Sequence, residues 1–163
     1  MNKSKKIVVL GHFGVGKTSL IRRFVSNSFS DKYLVSIGVH ITKKVVEISP
    51  TESLSFVIWD LEGTDEIHTI RDAYLLGTHG ALFVFDVSRP STFQNLKEDL
   101  KIVTAKMPQV PVLIIGNKID LVVEKELKEL LKEHNIDYNF LTSAKTGSTV
   151  DTAFLELAKE LNV

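Results

Sequence analysis

An apolar run at 7–10, I-V-V-L, passes directly into G-H-F-G-V-G-K-T at 11–18, and this junction constrains the fold more than any other stretch. The pattern G-x-x-x-x-G-K-[ST] between a buried strand and a helix asks for one local geometry. The glycines let the backbone wrap a phosphate chain, and its N–H groups point inward at the start of a helix. Lys17 then reaches the outer phosphates, and the Thr18 hydroxyl ligates Mg²⁺. The plain alternative is a glycine-rich turn before an ordinary helix. A chance match to every fixed position is rare, on the order of a percent for a chain of this length.

The rest of the chain repeats the alternation of short apolar runs with helical patterns. Strands are expected at 7–10, 41–48, 54–59, 81–87, 112–115 and, more weakly, 138–141. S-P-T-E-S between the second and third is too short for a crossover and predicts an antiparallel hairpin. The continuous runs at 81–87 and 112–115 suit parallel strands covered on both faces. Helices are expected at 17–25, 69–76, 92–106, 125–134 and 150–161, the last with Val150, Ala153, Phe154, Leu157 and Leu161 on one face. This order predicts a mostly parallel α/β sheet with helices on both faces. Ligands of such sheets bind beyond the carboxyl ends of the strands, so the loops there carry the chemistry.

Composition narrows the partners. Lys plus Arg equal Asp plus Glu at 20 each, so no net field draws nucleic acid or an anionic membrane. Cysteine is absent, which removes disulfides, thiolate metal sites and cysteine nucleophiles and fits a reducing cytoplasm. At 163 residues, 44% of them hydrophobic, the chain fits one folded domain, 1–163. No apolar run approaches the ~20 residues needed to cross a bilayer. A cytoplasmic location is expected.

The base is addressed by a second loop. Asn117-Lys-Ile-Asp120 follows the strand at 112–115. An aspartate in the plane of a purine can accept two hydrogen bonds from the N1–H and N2 amino groups of guanine. Adenine presents the opposite pattern and leaves the carboxylate unpaired, a mismatch that supports discrimination of several powers of ten. The stem of Lys118 can pack along the base, and a backbone N–H of Ser143-Ala144-Lys145, after the last strand, could meet the base carbonyl. Each tripeptide or tetrapeptide alone is weak evidence. In order, each after a strand, they are strong.

With these residues the chain resembles the Ras superfamily of small GTPases over essentially its whole length. The Rab branch is approached by S-I-G-V-H-I at 36–41, W-D-L-E-G at 59–63 and H-G-A-L-F-V-F-D at 79–86. The resemblance implies the P-loop NTPase three-layer sandwich: six mostly parallel strands, one of them antiparallel, and five helices. It implies GTP/GDP binding with Mg²⁺ and two segments that order around the γ-phosphate. The nucleotide-binding set it implies is Gly11, Phe13, Gly14, Val15, Gly16, Lys17, Thr18, Ser19, Asn117, Lys118, Asp120, Ser143, Ala144 and Lys145. By the same match Phe29 packs on the guanine, Tyr33 covers the phosphates, and Ser36 joins Thr18 as a Mg²⁺ ligand. Asp60 holds the metal through water, and the Gly63 N–H bonds the γ-phosphate. Catalysis would then fall to Lys17, Gly63 and Thr64.

Several positions depart from that family's pattern. Thr64 stands where most members carry the glutamine that orients the attacking water. The Rap relatives also have threonine there, and a partner protein supplies the missing group. Phe13 replaces a small residue beside the γ-phosphate and crowds both an arginine finger and a catalytic water. Glu62 replaces a small residue near the metal, where it either repels the phosphate or swings in as a ligand. Ser36 replaces threonine and lacks the methyl that stiffens the side chain. Such changes around one phosphate point to altered chemistry.

Two readings follow. One is a GTP-operated switch with slow hydrolysis, regulated by exchange and activating partners. The other is a hydrolysis-deficient GTP-binding module that acts as a constitutive interaction surface. A small-molecule kinase lacks room for a lid in so short a chain, and N-K-I-D argues against it. Effector, exchange-factor and activating proteins are expected on 30–40 and 60–77, the protein itself being monomeric. Membrane attachment is expected only through a partner or a lipidated tail beyond Val163. His40, His68, His79 and His134 show no metal-ligand spacing. His12 reads as a solvent-facing variable position, and Trp59 as core. On 125–133 the charges form a solvated face, with Leu127, Leu130 and Leu131 turned inward.

Overall fold

A computed structural model describes residues 3–32, 38–61 and 66–163. The sheet has six strands in the order β2-β3-β1-β4-β5-β6. They are β1 (Lys3–Gly11), β2 (Val39–Ser49), β3 (Glu52–Leu61), β4 (Gly80–Asp86), β5 (Val112–Asn117) and β6 (Phe140–Leu141). Among the described residues only the hairpin partners β2 and β3 run antiparallel, with Ile41 opposite Trp59 and a register shift between Glu47 and Ser49. The remaining pairs are parallel, and Val8 of the central strand lies between Trp59 and Ala81.

Alternation along β1 divides the core into two layers. Ile7 and Val9 face α1 (Lys17–Ser26) and α5 (Val150–Leu161), where Phe24 and Phe154 stack with ring centroids 3.9 Å apart. Val8 and Leu10 face α3 (Leu96–Lys106) and α4 (Glu124–Glu133), and share that layer with Phe83, Phe85, Val103 and Leu127. Every residue of β4 is buried, because helices cover both of its faces. Leu127 and Leu131 are fully inside and Leu130 partly so. Trp59 is half-buried against the same layer, with the Lys6 ammonium 3.7 Å above its ring. No helix of the described residues is long and apolar enough to cross a membrane.

Some expected elements are shorter. The helix expected at 69–76 is a 3₁₀ turn, Ile67–Thr69, then the short α2, Asp72–Leu75, with Ile70 and Arg71 extended between them. A tertiary contact competes with the helix there: Lys106 Nζ donates to the Ile70 carbonyl at 3.3 Å and to the Asp72 carboxylate at 2.6 Å. The helix expected at 92–106 begins only at Leu96, after a 3₁₀ turn at Pro90–Thr92. The Thr92 hydroxyl accepts from Asp86 N–H at 3.0 Å, folding that turn back on β4. β6 keeps only the end of its expected span. Asn139 replaces part of the ladder with its side chain, accepting from Ile114 N–H at 2.7 Å.

Candidate nucleotide site

The loops that follow β1, β5 and β6 meet in one cleft at the carboxyl edge of the sheet, whose lining includes Phe13, Lys17, Phe29, Asn117, Asp120 and Lys145. Two glycines of the first loop owe their identity to close approach. A Cβ at Gly11 would run into the Val84 carbonyl. At Gly16, where φ is +97°, it would lie 2.5 Å from Asn117 Nδ2.

Asn117 is buried and works as a hub. Its amide donates to the Val15 carbonyl at 3.1 Å, and its Oδ1 accepts from Thr142 Oγ1 at 3.1 Å and Ala144 N–H at 3.2 Å. Lys118, held in the left-handed region at φ 71°, donates from Nζ to the Gly14 carbonyl at 2.8 Å. The base loop thus braces the phosphate loop directly. Ser143 Oγ donates to Asp120 Oδ1 at 2.7 Å, which fixes the orientation of the carboxylate at the cleft. Of the amides in the 143–145 stretch, Ser143 N–H is spent on Ser148 O and Ala144 N–H on Asn117. Lys145 N–H has no partner among the described residues.

At the other end of the cleft Lys17 is only 6% exposed, an unusual position for a lysine unless an anion faces it. Thr18 Oγ1 donates to Asp60 Oδ2 at 2.5 Å. The other oxygen, Asp60 Oδ1, is buried without a hydrogen-bond partner among the described residues. Burial raises the Asp60 carboxyl above its ordinary range, opposed by the Thr18 bond and by the charges of Lys17 and His40. A hydroxyl beside an unsatisfied carboxylate oxygen is a hard, all-oxygen donor set, and it fits Mg²⁺, which takes few protein ligands and keeps several waters. Among the described residues no group of three or more His, Asp or Glu could hold a metal.

Phe13 projects into the cleft and is 42% exposed; Phe29 is half-buried against the α1–α5 layer and lines the same cleft. Tyr33, Ser36, Glu62, Gly63 and Thr64 lie outside the described residues. His12 corrects its sequence reading: it is buried, 8% exposed, with Nε2 2.7 Å from Asp99 Oδ2 on α3. Two further residues escaped the sequence reading. Arg23 supports the 143–145 loop from α1, donating to Ala144 O at 2.8 Å and Lys145 O at 2.6 Å, and no sequence signal marks it. Asp86 is 1% exposed and pairs with Lys118 Nζ at 3.0 Å. A carboxylate closing a fully apolar strand was its available clue.

A sheet of this order, with a phosphate loop after β1 and a base loop after β5, defines the small G-protein class of P-loop NTPases. Residues 6–163 match the model of the Ras family. The chain is 38% identical to the Ras-related protein Rab-1 of Theileria annulata, over 96% of this chain and 73% of that protein. It is 36% identical to the Ypt/Rab-type GTPase YPT7 of Saccharomyces cerevisiae, over 94% and 79%, and 32% identical to the Ras-related protein Rab-13 of Canis lupus familiaris, over 96% and 79%. The chain therefore belongs to the Ras family, as a Rab-like small GTPase and guanine-nucleotide switch.

Proposed function

We propose that this chain cycles between GTP and GDP with Mg²⁺, hydrolyses GTP slowly, and relies on partner proteins for exchange and activation. The observation that carries this reading is the direct joining of the two recognition loops, Asn117 to Val15 O and Lys118 to Gly14 O, around one cleft. Asp120 reads the guanine edge while Ser143 holds it, Phe29 supports the base, and a 143–145 backbone N–H meets the base carbonyl. Lys17 faces the outer phosphates. Thr18 and Asp60 hold Mg²⁺, which when bound neutralises phosphate charge. Tyr33, Ser36 and Gly63 complete the site from the two switch segments, and partners dock on 30–40 and 60–77. Membrane association, where it occurs, comes through a partner or a lipidated tail.

The position of Phe13 favours slow chemistry, and it also supports the second reading, a hydrolysis-deficient module serving as a constitutive surface. The nucleotide carried by the purified protein separates the two. A switch purifies largely with GDP and converts bound GTP in a single turnover. Persistent GTP after prolonged incubation with Mg²⁺ establishes the module instead, and ATP binding as tight as GTP binding overturns both.

A further inference from the structure

Asp86 closes β4 with a carboxylate that is almost wholly buried. Its Oδ1 accepts from Ser88 N–H at 2.9 Å and Ser88 Oγ at 2.6 Å. Its Oδ2 pairs with Lys118 Nζ at 3.0 Å, and the Arg89 guanidinium lies beside it as a looser ion pair, Nε 3.5 Å away without a hydrogen bond. Each cation reaches past the carboxylate to the phosphate loop. Lys118 Nζ donates to the Gly14 carbonyl at 2.8 Å, and Arg89 Nη2 donates to the Phe13 carbonyl at 2.5 Å. Two consecutive carbonyls are thus held by two cations that share one buried anion.

A trans peptide is planar, so its C=O and N–H point in opposite directions. Holding the Phe13 carbonyl fixes the Gly14 N–H on the far side of that plane; holding the Gly14 carbonyl does the same for Val15 N–H. Neither N–H has a hydrogen-bond partner among the described residues. Donors fixed in advance toward an anion lose no orientation energy when it arrives. Lys118 belongs to the base loop and orients one of them. Nothing in the nucleotide-binding motifs calls for an arginine at 89.

We propose that Arg89 is a positioning residue of the nucleotide site: anchored on Asp86, it clamps the Phe13 carbonyl and so aims the Gly14 N–H at the polyphosphate. The proposal rests on the guanine-nucleotide reading of the cleft. Arg89 acts through the loop backbone and touches neither base nor metal. Its effect should therefore appear in phosphate-dependent affinity and not in affinity for the base.

The test compares GDP and guanosine binding, with Mg²⁺, in the wild type, Arg89→Ala and Arg89→Lys, alongside thermal melting. Arg89→Ala should speed GDP dissociation on the order of tenfold, the weight of one charge-assisted hydrogen bond. Guanosine affinity should change by less than about twofold, because the Asp120 side of the cleft keeps its contacts. Arg89→Lys keeps a donor and should recover most of the loss. Unchanged GDP dissociation in Arg89→Ala overturns the proposal. So does an equal loss for guanosine and GDP, which signals general loosening, and so does a lysine variant no better than alanine. A wild type that binds neither ligand removes the site reading itself, whereas normal wild-type binding with a silent Arg89→Ala removes only the clamp.

Discussion

His12 Nε2 lies 2.7 Å from Asp99 Oδ2, tying the phosphate loop to α3 across a contact with both residues buried. Losing one partner of a buried pair leaves the other desolvated without that bond, at about 1–3 kcal/mol. Asp99→Ala should therefore lower the melting temperature by several degrees in a chain of this size. Asp99→Asn retains an acceptor oxygen for the imidazole N–H and should lose less. Thermal melts of the GDP-bound proteins check this. Asparagine and alanine variants that both melt with the wild type would show that the contact carries no stability.

Guanine selectivity should reside in Asp120, whose carboxylate is already turned by Ser143 Oγ at 2.7 Å. Asp120→Asn should weaken GTP and strengthen xanthosine triphosphate, since the amide donates to the carbonyl that replaces the guanine amino group. Ser143→Ala should weaken GTP more modestly, leaving the carboxylate in place but less well held. Competition binding with the two triphosphates reads both effects. An Asp120→Asn variant that keeps its preference for GTP contradicts the assignment of the base edge.

A pH effect is expected at the opposite edge of the sheet. Lys6 N–H donates to His79 Nδ1 at 2.9 Å, a bond that requires the nitrogen to be unprotonated. Partial burial, and then the charge of Lys5, lower the His79 pKa below its ordinary value. A depressed folded-state pKa means that the unfolded chain takes up the proton first as pH falls. This contribution is fully present above the ordinary histidine range and is lost as pH drops below about 6.5 through the folded pKa. His79→Gln keeps an acceptor that does not titrate, so its melting temperature should fall less than that of the wild type between pH 7.5 and 5.5. Parallel slopes would count against the bond.

What the sequence made legible, and what it did not, follows from the range of each interaction. The phosphate and base loops were readable because strand, glycine spacing and N-K-I-D are local, and topology alone brings them together. The role of Asp60 came only through the resemblance carried by W-D-L-E-G, a local stretch at the end of an apolar run. By contrast, the segment at 69–76 has a helical pattern that is overruled by Lys106, whose contacts with Ile70 and Asp72 span more than thirty residues. His12 was misread for the same reason. Its partner Asp99 lies 87 positions away on α3, and nothing near His12 announces it. Arg89 carries no signal in the sequence, because its partners, Asp86 and the Phe13 carbonyl, are brought to it only by the fold.

Hydrolysis is where the departures at 13 and 64 should combine. Phe13 lines the cleft on a backbone whose carbonyl Arg89 holds. Without glutamine at 64, intrinsic turnover should fall below the roughly 3–5 × 10⁻⁴ s⁻¹ of Ras. Loss of a water-positioning group slows the step ~10-fold, which corresponds to a barrier about 1.4 kcal/mol higher. Thr64→Gln alone should recover only part of this, on the proposal that Phe13 crowds the γ-phosphate end of the cleft. Phe13→Gly alone should open the space without supplying the amide. The double variant should then exceed the product of the two single gains, as neighbouring sites that share one obstacle do. Single-turnover hydrolysis in the wild type, both single variants and the double gives the coupling directly. Multiplicative gains would mean that Phe13 does not stand in the path of the residue at 64, and a wild-type rate above that of Ras would mean that the chain positions water by other means.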